Sequence, residues 1–424
     1  MTTTRPTTGP NWADTLVPSP VSGQDNRVEP PAAWRTGEGW SLAEVPPRNY
    51  LNWWQYNVGQ WVQYLDERRA GNLFAFVCAS NASAAHKAFA DAAYLCDGTA
   101  DQVQINAAIA AVAAAGGGVV LLSPGVFTIA AAVALVDKIA LVGSGKGATT
   151  ITVPNGIGTE FSLISSAGDD SLVRSLKVDG NAGGITGGFG HVGIELGVNA
   201  LRSDVEDVFV TSMKTTGATN GIGIKLAEYN QAIRRAFVYS CENHGILVDA
   251  TATDAAIDDV LCNSCAGDGV HVDGAGCTLK NVRAVSNTLI GIDIDGANCK
   301  AIGCRAQSSG TVGIYASGDG CELLGCTSQL SETHGIVFDD VLEGKIVNCT
   351  IKDNSQGITN TSSGIVLTGT VGGGNLITGN AVIGVDHKYA IHNVDAPNSM
   401  SECMVYRNDL RGFATAAFVD NANA

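Results

Sequence analysis

Residues 269–330 contain three copies of one pattern, GVHVDGAGCTLKNVRAVS at 269–286, GIDIDGANCKAIGCRAQS at 291–308 and GIYASGDGCELLGCTSQL at 313–330. Each copy begins with glycine followed by isoleucine or valine, and the same pair recurs at 193, 223, 245, 335 and 357. From 223 onward the steps between successive pairs are 22, 24, 22, 22, 22 and 22 residues. A fixed period in this range is typical of a solenoid built from stacked coils.

Within one repeat the apolar residues alternate as they do in a β-strand. Val270 and Val272 flank His271, a glycine-containing turn follows, and two further apolar runs start near residues 277 and 282. One repeat alone cannot bury its apolar stripe. Stacked repeats bury a continuous core and pair each strand with neighbours about 4.8 Å away. The pattern therefore predicts an all-β chain folded as a parallel β-helix.

The cysteines follow the same period. Two series step along the repeats, Cys277, Cys299 and Cys321 in the first and Cys304, Cys326 and Cys349 in the second. One interpretation is a disulfide framework or a metal site, with a CxxC at 262–265. We favour inward ladders of small apolar side chains, because free cysteine is often buried and a metal needs several ligands around one ion. Cys78 and Cys96 lie outside the repeats, and the sequence leaves their pairing open.

Composition and charge narrow the range of ligands. The chain has 424 residues, 52 of them glycine, and a formal net charge of −16. This excess of acidic over basic residues argues against binding to nucleic acid or to an anionic membrane surface, because both require clustered Lys and Arg. It is compatible with neutral glycans, or with anionic glycans bound through local basic residues or a metal. We also find no signal segment and no apolar run of transmembrane length, which predicts synthesis in a reducing cytosol and no membrane insertion.

The first 95 residues lack the repeat. Residues 1–46 are rich in Thr, Pro, Gly and Ser, and we expect an extended or partly disordered segment that is ordered against a partner. Residues 47–95 read as a helical attachment or oligomerisation segment followed by a connector with a short helix near 84–93. Its apolar residues are spaced as in a coiled-coil seam, at Leu51, Trp54, Val58, Trp61 and Leu65. Two heptads are marginal alone, so the seam indicates either self-association as a trimer or docking on the same chain.

A capping helix is predicted directly before the first coil. It begins near Asp101, carries Ile105, Ile109 and Val112 on one face, and ends at the glycines of 116–118. The segment CDGTADQVQINAAIAAVAAAGGGVVLLSPGVFTI at 96–129, with LVGSG at 141–145, resembles the opening of the pectate-lyase-like right-handed β-helix superfamily. That family includes pectate lyases, polygalacturonases, alginate epimerases and phage tail spikes, so the resemblance implies a fold and no particular chemistry. It implies a right-handed parallel β-helix of roughly a dozen coils over 96–395, with a C-terminal cap or tail over 396–424.

A second resemblance concerns the N-terminal segment. WRTGEGWSLAEVPPRNYLNWWQYNVGQWVQYLDE at 34–67 resembles the attachment regions of phage tail proteins. The combination implies a tail spike or minor tail protein in a virion tail or a phage-derived particle, made in the bacterial cytoplasm without a signal peptide. It further implies a homotrimer whose N-terminal segment contacts other tail or baseplate proteins and whose body contacts host cell-surface polysaccharide.

Stacking also predicts where outward side chains gather. The residue between the two apolar ones of each G-I-x-I strand points outward, and polar residues also flank each strand. From these columns we predict catalytic residues at His271, Asp293, Asp268, Asp273 and Asp295, and substrate contacts at Glu195, Lys225, His244 and Tyr315. Stacked carboxylates raise one another's pKa or hold a cation, and Ca²⁺ is the one cofactor that we consider. Either arrangement could serve glycan cleavage, by paired carboxylates or by metal-assisted proton abstraction.

The competing interpretation is that Asp-Gly pairs are ordinary turn residues. The motifs that mark polygalacturonases and alginate epimerases are absent, so no catalytic residue is carried over from either family. Three functions therefore remain open. They are a tail spike that contacts surface polysaccharide with or without cleavage, a stand-alone polysaccharide lyase or hydrolase, and a purely structural tail component.

Overall fold

The computed structural model describes residues 74–185, 189–216, 220–357, 362–369, 374–394 and 403–420. Helix α1 spans Ala84–Phe89, helix α2 spans Gln102–Ala114, and 3₁₀ turns span Ala92–Tyr94 and Ala182–Gly184. The remaining regular elements of these ranges are β-strands. In the same ranges no helix is long and apolar enough to span a membrane. The predicted coiled-coil seam at 51–65 lies outside the described residues.

The strands form a 13-stranded and a 22-stranded parallel sheet. The larger sheet covers two faces of the solenoid that are joined by the strand Ala381–Asn393. We call the smaller sheet the first sheet and the two faces of the larger one the second and third sheets, and a typical coil contributes one strand to each. The first sheet contains Phe74–Val77, Gly118–Leu122, Ile139–Val142, Leu172–Arg174, Asp204–Glu206, Ala232–Arg234, Ala256–Asp258, Thr278–Lys280, Lys300–Ile302, Glu322–Leu324, Lys345–Val347, Leu376–Thr378 and Met404–Tyr406. The second sheet contains Gly125–Thr128, Thr149–Thr152, Lys177–Asp179, Phe209–Thr211, Phe237–Tyr239, Leu261–Asn263, Arg283–Val285, Arg305–Gln307, Thr327–Gln329 and Thr350–Lys352. The third sheet contains Val133–Leu135, Phe161–Ser166, His191–Leu196, Ile224–Leu226, Ile246–Val248, Val270–Val272, Ile292–Ile294, Ile314–Ala316, Ile336–Asp339 and Ile365–Thr368. The long strands Ala381–Asn393 and Asp409–Asp420 complete the second and third sheets.

Successive coils pair in the register that the repeat predicts. Val270 lies opposite Ile292, and Ile292 lies opposite Ile314. The 22-residue step of the sequence is therefore the step from one coil to the next. The solenoid has about ten turns, and the predicted all-β parallel β-helix is confirmed.

A left-handed residue turns the chain between the first and second sheets. Asn281 (φ 53°) and Gly303 (φ 62°) occupy this place in successive coils. Asparagine and glycine adopt positive φ more readily than other residues, which explains why they recur here. This turn sets the direction of the second-sheet strand that follows each first-sheet strand.

The cysteine ladders lie inside the solenoid. All cysteines are free, and all except Cys403 are buried. The Cys277 thiol lies 3.4 Å from the carbonyl oxygen of Ala252 one coil earlier, and the Cys299 thiol lies 3.2 Å from that of Gly274. The favoured interpretation as inward ladders is thus confirmed, and Cys78 and Cys96 are not bonded to each other.

Helix α2 covers the N-terminal end of the solenoid, as predicted. Its Ile105, Ile109 and Val112 are buried against the first strands. Asp101, fully buried at its start, accepts hydrogen bonds from the backbone nitrogens of Gly98 (2.9 Å) and Thr128 (2.8 Å). The Asp101 carboxylate therefore joins the helix to the second sheet.

Both predicted ends of the β-helix were wrong. Phe74–Val77 pairs with the strand Gly118–Leu122, so the first sheet begins before residue 96. At the other end Met404–Tyr406 and Asp409–Asp420 continue the sheets into the region expected to be an irregular cap or tail. These strands lack the glycine pair that marks the central coils, which explains why the repeat did not locate them.

Candidate functional site on the third sheet

The predicted outward column lies on the outer face of the third sheet. Glu195 is opposite Lys225, His271 is opposite Asp293, and Asp293 is opposite Tyr315. Leu247 separates Lys225 from His271. The column therefore has two polar groups on one continuous face, one around Lys225 and one around His271.

His271 is the centre of the second group. Its Nδ1 atom lies 3.0 Å from Asp293 Oδ2 and 3.3 Å from Asp268 Oδ2, while its Nε2 atom lies 3.1 Å from Asp273 Oδ1. Burial disfavours the charged imidazolium, but the hydrogen bonds to Asp268 and Asp293 outweigh it and raise the pKa of His271 to about 11. At neutral pH His271 is therefore a cation that contacts two carboxylates of its own coil, Asp268 and Asp273, and one of the next coil, Asp293.

Asp268 lies beneath the two histidines of the site. Its side chain is 6% exposed, its Oδ2 atom is 3.1 Å from His244 Nδ1, and its Oδ1 atom accepts a hydrogen bond from the Ile290 backbone at 2.8 Å. Burial raises the pKa of the Asp268 carboxyl, but hydrogen bonds from His244 and His271 outweigh burial and hold that pKa well below its usual range. Asp268 is therefore an ionised carboxylate that orients the rings of His244 and His271. The centroids of these two rings are 5.0 Å apart.

Asp293 differs from Asp268 in its electrostatic environment. Its side chain is 8% exposed, and its Oδ1 atom is buried without a hydrogen-bond partner. Burial raises the pKa of Asp293, the His271 cation opposes that effect, and the nearby Asp295 carboxylate adds to the increase. Two carboxyls that contact the same histidine nitrogen thus have pKa values moved in opposite directions.

Asp273 and Asp295 form the solvent-facing edge of the same group. Atoms of His271, Asp273 and Asp295 lie within 4.8 Å of one another, as do atoms of His244, Asp268 and His271. Each trio contains an imidazole, whereas Ca²⁺ prefers six to eight oxygen ligands, so the donor atoms suit Ca²⁺ poorly. The predicted Ca²⁺ site stays a prediction.

The first group forms a separate charge pair farther along the face. Lys225 Nζ lies 3.5 Å from Glu195 Oε1 and 3.0 Å from Asp249 Oδ2. Burial lowers the pKa of Lys225, and the two carboxylates outweigh that effect, so the net shift is upward. Ser162 also donates a hydrogen bond to Glu195. Glu195 and Lys225 are thus joined to each other and do not contact the His271 group directly.

Tyr315 lies on the far side of the His271 group. Its hydroxyl donates a hydrogen bond to Asp339 Oδ2 at 2.7 Å. Burial and the Asp339 carboxylate raise the pKa of Tyr315 above its usual range. The phenol therefore stays neutral and borders the face one coil after Asp293.

Sequence reasoning missed one feature of this face. A shallow cavity of about 180 Å³ is lined by Glu160, Phe161, Ser162, Gly190, Val192, Glu195 and Asn220. Glu160 accepts hydrogen bonds from Thr216 Oγ1 at 2.6 Å and from the Gly190 backbone at 3.2 Å. Apart from Glu195, these residues were not aligned with His271 by any column of the sequence, because they lie before the regular 22-residue repeat.

Comparison with known proteins agrees with the fold. Residues 244–410 match the family model described as "Right handed beta helix region", and the molecule is a right-handed parallel β-helix. A search of curated protein sequences found no match.

Among solved structures, the Dettilon tailspike protein gives a TM-score of 0.63 at 15% identity, over 75% of this chain and 65% of that one. The A-module of Azotobacter vinelandii mannuronan C-5 epimerase AlgE6 gives 0.61 at 16% identity, over 76% and 95%. The catalytic unit of a Streptomyces thermodiastaticus α-1,3-glucanase gives 0.52 at 15% identity, over 76% and 64%. At these identities the similarity shows the fold alone. The structural neighbours include a phage tailspike and polysaccharide-acting enzymes.

Proposed function

We propose that this protein binds a cell-surface polysaccharide along the outer face of its third sheet and hydrolyses it at the His271 group. The proposal rests on two buried carboxyls, Asp268 and Asp293, that contact the same nitrogen of His271. Their surroundings lower the pKa of Asp268 and raise the pKa of Asp293. Pairs of titratable groups whose surroundings move their pKa values apart are typical of acid–base catalysis. The structural similarity to a mannuronan epimerase and an α-1,3-glucanase supports a glycan as the ligand.

Each side chain has a distinct role in the proposed reaction. Burial raises the pKa of Asp293, so a larger fraction of this carboxyl is protonated than of an ordinary aspartate. The protonated form donates its proton to the glycosidic oxygen as that bond breaks, whereas the ionised form pairs with His271. Asp295, at the exposed edge, accepts a proton from the water that adds to the anomeric carbon. The His271 cation contacts Asp293 and stabilises its ionised form, and Asp268, which contacts both His271 and His244, holds His271 in place.

Hydrolysis fits the group better than β-elimination. A lyase needs a base that removes a proton next to a uronate carboxylate, together with a cation that neutralises this carboxylate. His271 already carries its proton at neutral pH, because its pKa is raised to about 11. It therefore cannot act as that base. We accordingly expect cleavage products with new reducing ends and without unsaturated sugars.

We further propose that the protein acts as a spike or minor tail protein of a phage tail or phage-derived particle. The tailspike neighbour and the N-terminal segment at 34–67, which resembles tail attachment regions, support this role. In that setting the chain assembles as a homotrimer, and its N-terminal segment contacts other tail or baseplate proteins.

Binding without cleavage is the second candidate. It is favoured because both ring nitrogens of His271 already contact carboxylates, so neither is available to a substrate. In this case the His271 group would join adjacent coils and present Asp273 and Asp295 as binding groups only.

Incubation of the full chain with intact surface polysaccharides from candidate bacterial hosts distinguishes these possibilities. The fragment size and the number of reducing ends are measured together with retention of the protein on the immobilised glycan. Shortened glycan with new reducing ends supports hydrolysis, and retention on intact glycan supports the binding candidate. Neither binding nor cleavage across the panel would reject both in favour of a structural tail component.

A further inference from the structure

The outer face of the third sheet carries a large excess of carboxylates. We counted charges in its strands and flanking turns, residues 191–199, 222–231, 243–252, 267–276, 289–298, 311–320 and 333–343, all of which the structure describes. These segments contain a single lysine, Lys225, and no arginine. Their carboxylates are Glu195, Glu228, Asp249, Asp268, Asp273, Asp293, Asp295, Asp319, Asp339, Asp340 and Glu343.

The cations within these segments are already committed to carboxylates. Lys225 lies between Glu195 and Asp249, at 3.5 and 3.0 Å. The His271 cation is shared by two carboxylates of its own coil and one of the next coil. The counted segments of this face therefore offer no uncommitted Lys or Arg side chain to an anionic ligand.

The first sheet provides a contrast within the same solenoid. Three outward carboxylates of its strands have basic partners, with Arg174 on Glu206, Arg234 on Asp204 and Lys345 on Glu322. The charge excess of the third sheet is thus a property of that face and does not follow from the acidic composition alone.

One atom at the centre of this face lacks a donor. Asp293 Oδ1 is buried without a hydrogen-bond partner, in a side chain that is 8% exposed. A buried carboxylate oxygen without a donor is unfavourable, so an N–H or O–H group that reached it would improve binding. The cavity bordered by Glu195 adds one more carboxylate, Glu160, on the same face.

We propose that the glycan bound by this face carries free amino groups and no carboxylates, an inference that rests on the proposed polysaccharide-binding function. Ammonium groups match the carboxylate excess and supply N–H donors, whereas uronate groups meet repulsion from the coils between 191 and 343, whose counted segments have no free Lys or Arg. An amine-bearing glycan therefore binds more tightly than its N-acetylated counterpart, and a polyuronate binds most weakly.

Binding of the full chain to three oligosaccharides of equal length tests this inference. The probes are a chitosan oligosaccharide, its fully N-acetylated counterpart and an oligogalacturonate, measured with EDTA to remove divalent cations. We expect the free amines to tighten binding by about tenfold or more at low salt, a gain that added salt reduces. Equal or weaker binding of the amine probe, or binding of the oligogalacturonate in EDTA, would overturn the inference.

Charge-neutralised variants assign the preference to this face. The double variant Asp295→Asn, Asp339→Asn should lose most of the amine preference, while the matched variant Asp204→Asn on the first sheet should keep it. An unchanged preference in the double variant would also overturn the inference. Failure of every probe and of every host polysaccharide to bind would instead reject the proposed function itself, so the two failures are distinguishable.

Discussion

The substitution His271→Ala tests whether His271 holds the site together. Three carboxylates, Asp268, Asp273 and Asp293, lie within 3.3 Å of its ring nitrogens, and the first and third of these side chains are 6% and 8% exposed. Removal of one partner from a buried ion pair typically costs about 3–5 kcal/mol, because the other charge is left uncompensated. We therefore expect His271→Ala to lower the free energy of unfolding at pH 7 by about 3–5 kcal/mol.

The free energy of unfolding that His271→Ala loses should depend on pH in a defined direction. The folded pKa of His271, about 11, lies above its ordinary value of 6.5, so its contribution is fully present below pH 6.5 and is lost as the pH rises through 11. The folded pKa of Asp268 is depressed, so its contribution is present above the ordinary aspartate range and is lost as the pH falls. The difference between wild type and His271→Ala should be largest near neutral pH and should shrink at both extremes.

A second substitution separates charge from packing. In the His271→Ala background, Asp293→Asn removes one uncompensated carboxylate and should recover at least about 1 kcal/mol, a coupling that a double-mutant cycle measures. All six tryptophans precede residue 73 and lie outside the described solenoid, so unfolding in denaturant is followed by far-ultraviolet circular dichroism. A His271→Ala stability within about 0.5 kcal/mol of wild type at pH 7, or no recovery in the double variant, would refute the ion-pair argument.

Three further predictions concern the fold and the reaction. Asp101→Ala should lower the free energy of unfolding by about 1–3 kcal/mol, because the Gly98 and Thr128 backbone donors lose a buried acceptor; an unchanged denaturation midpoint would contradict this. A thiol reagent should modify about one cysteine in the native protein, Cys403, and all twelve after denaturation, since the other cysteines are buried; rapid modification of several native thiols would contradict the inward ladders. Cleaved polysaccharide should carry new reducing ends without the ultraviolet absorbance of unsaturated sugars, and such absorbance would indicate elimination instead of hydrolysis.

The fold was predictable where the sequence repeats. The 22-residue spacing of the Gly-Ile pairs alone requires that Val270, Ile292 and Ile314 stack, and the structure places them opposite one another. The ends were not predictable in this way. The strands Phe74–Val77 and Met404–Tyr406 pair through backbone hydrogen bonds with neighbours more than 25 residues away in the chain, and no local signal specifies that distance.

The site was predictable only in part. Stacking brought His271 and Asp293 together as expected, because residues one period apart lie opposite each other. The contrast between Asp268 and Asp293 was not predictable. It depends on burial and on the additional donors, His244 and the Ile290 backbone, that Asp268 has and Asp293 lacks, and both depend on side-chain packing. Similarly, no sequence column linked Glu160 to Asn220, since the loops there differ in length from the repeat.

The most direct test of the central claim compares wild type with Asp293→Asn on one polysaccharide that both proteins bind. The rate of formation of new reducing ends is measured, and circular dichroism verifies the fold of the variant. Loss of the proton donor should lower that rate by at least about a hundredfold while binding remains. A variant that cleaves the polysaccharide at the wild-type rate would contradict the assignment of Asp293 and of the His271 group as the active site.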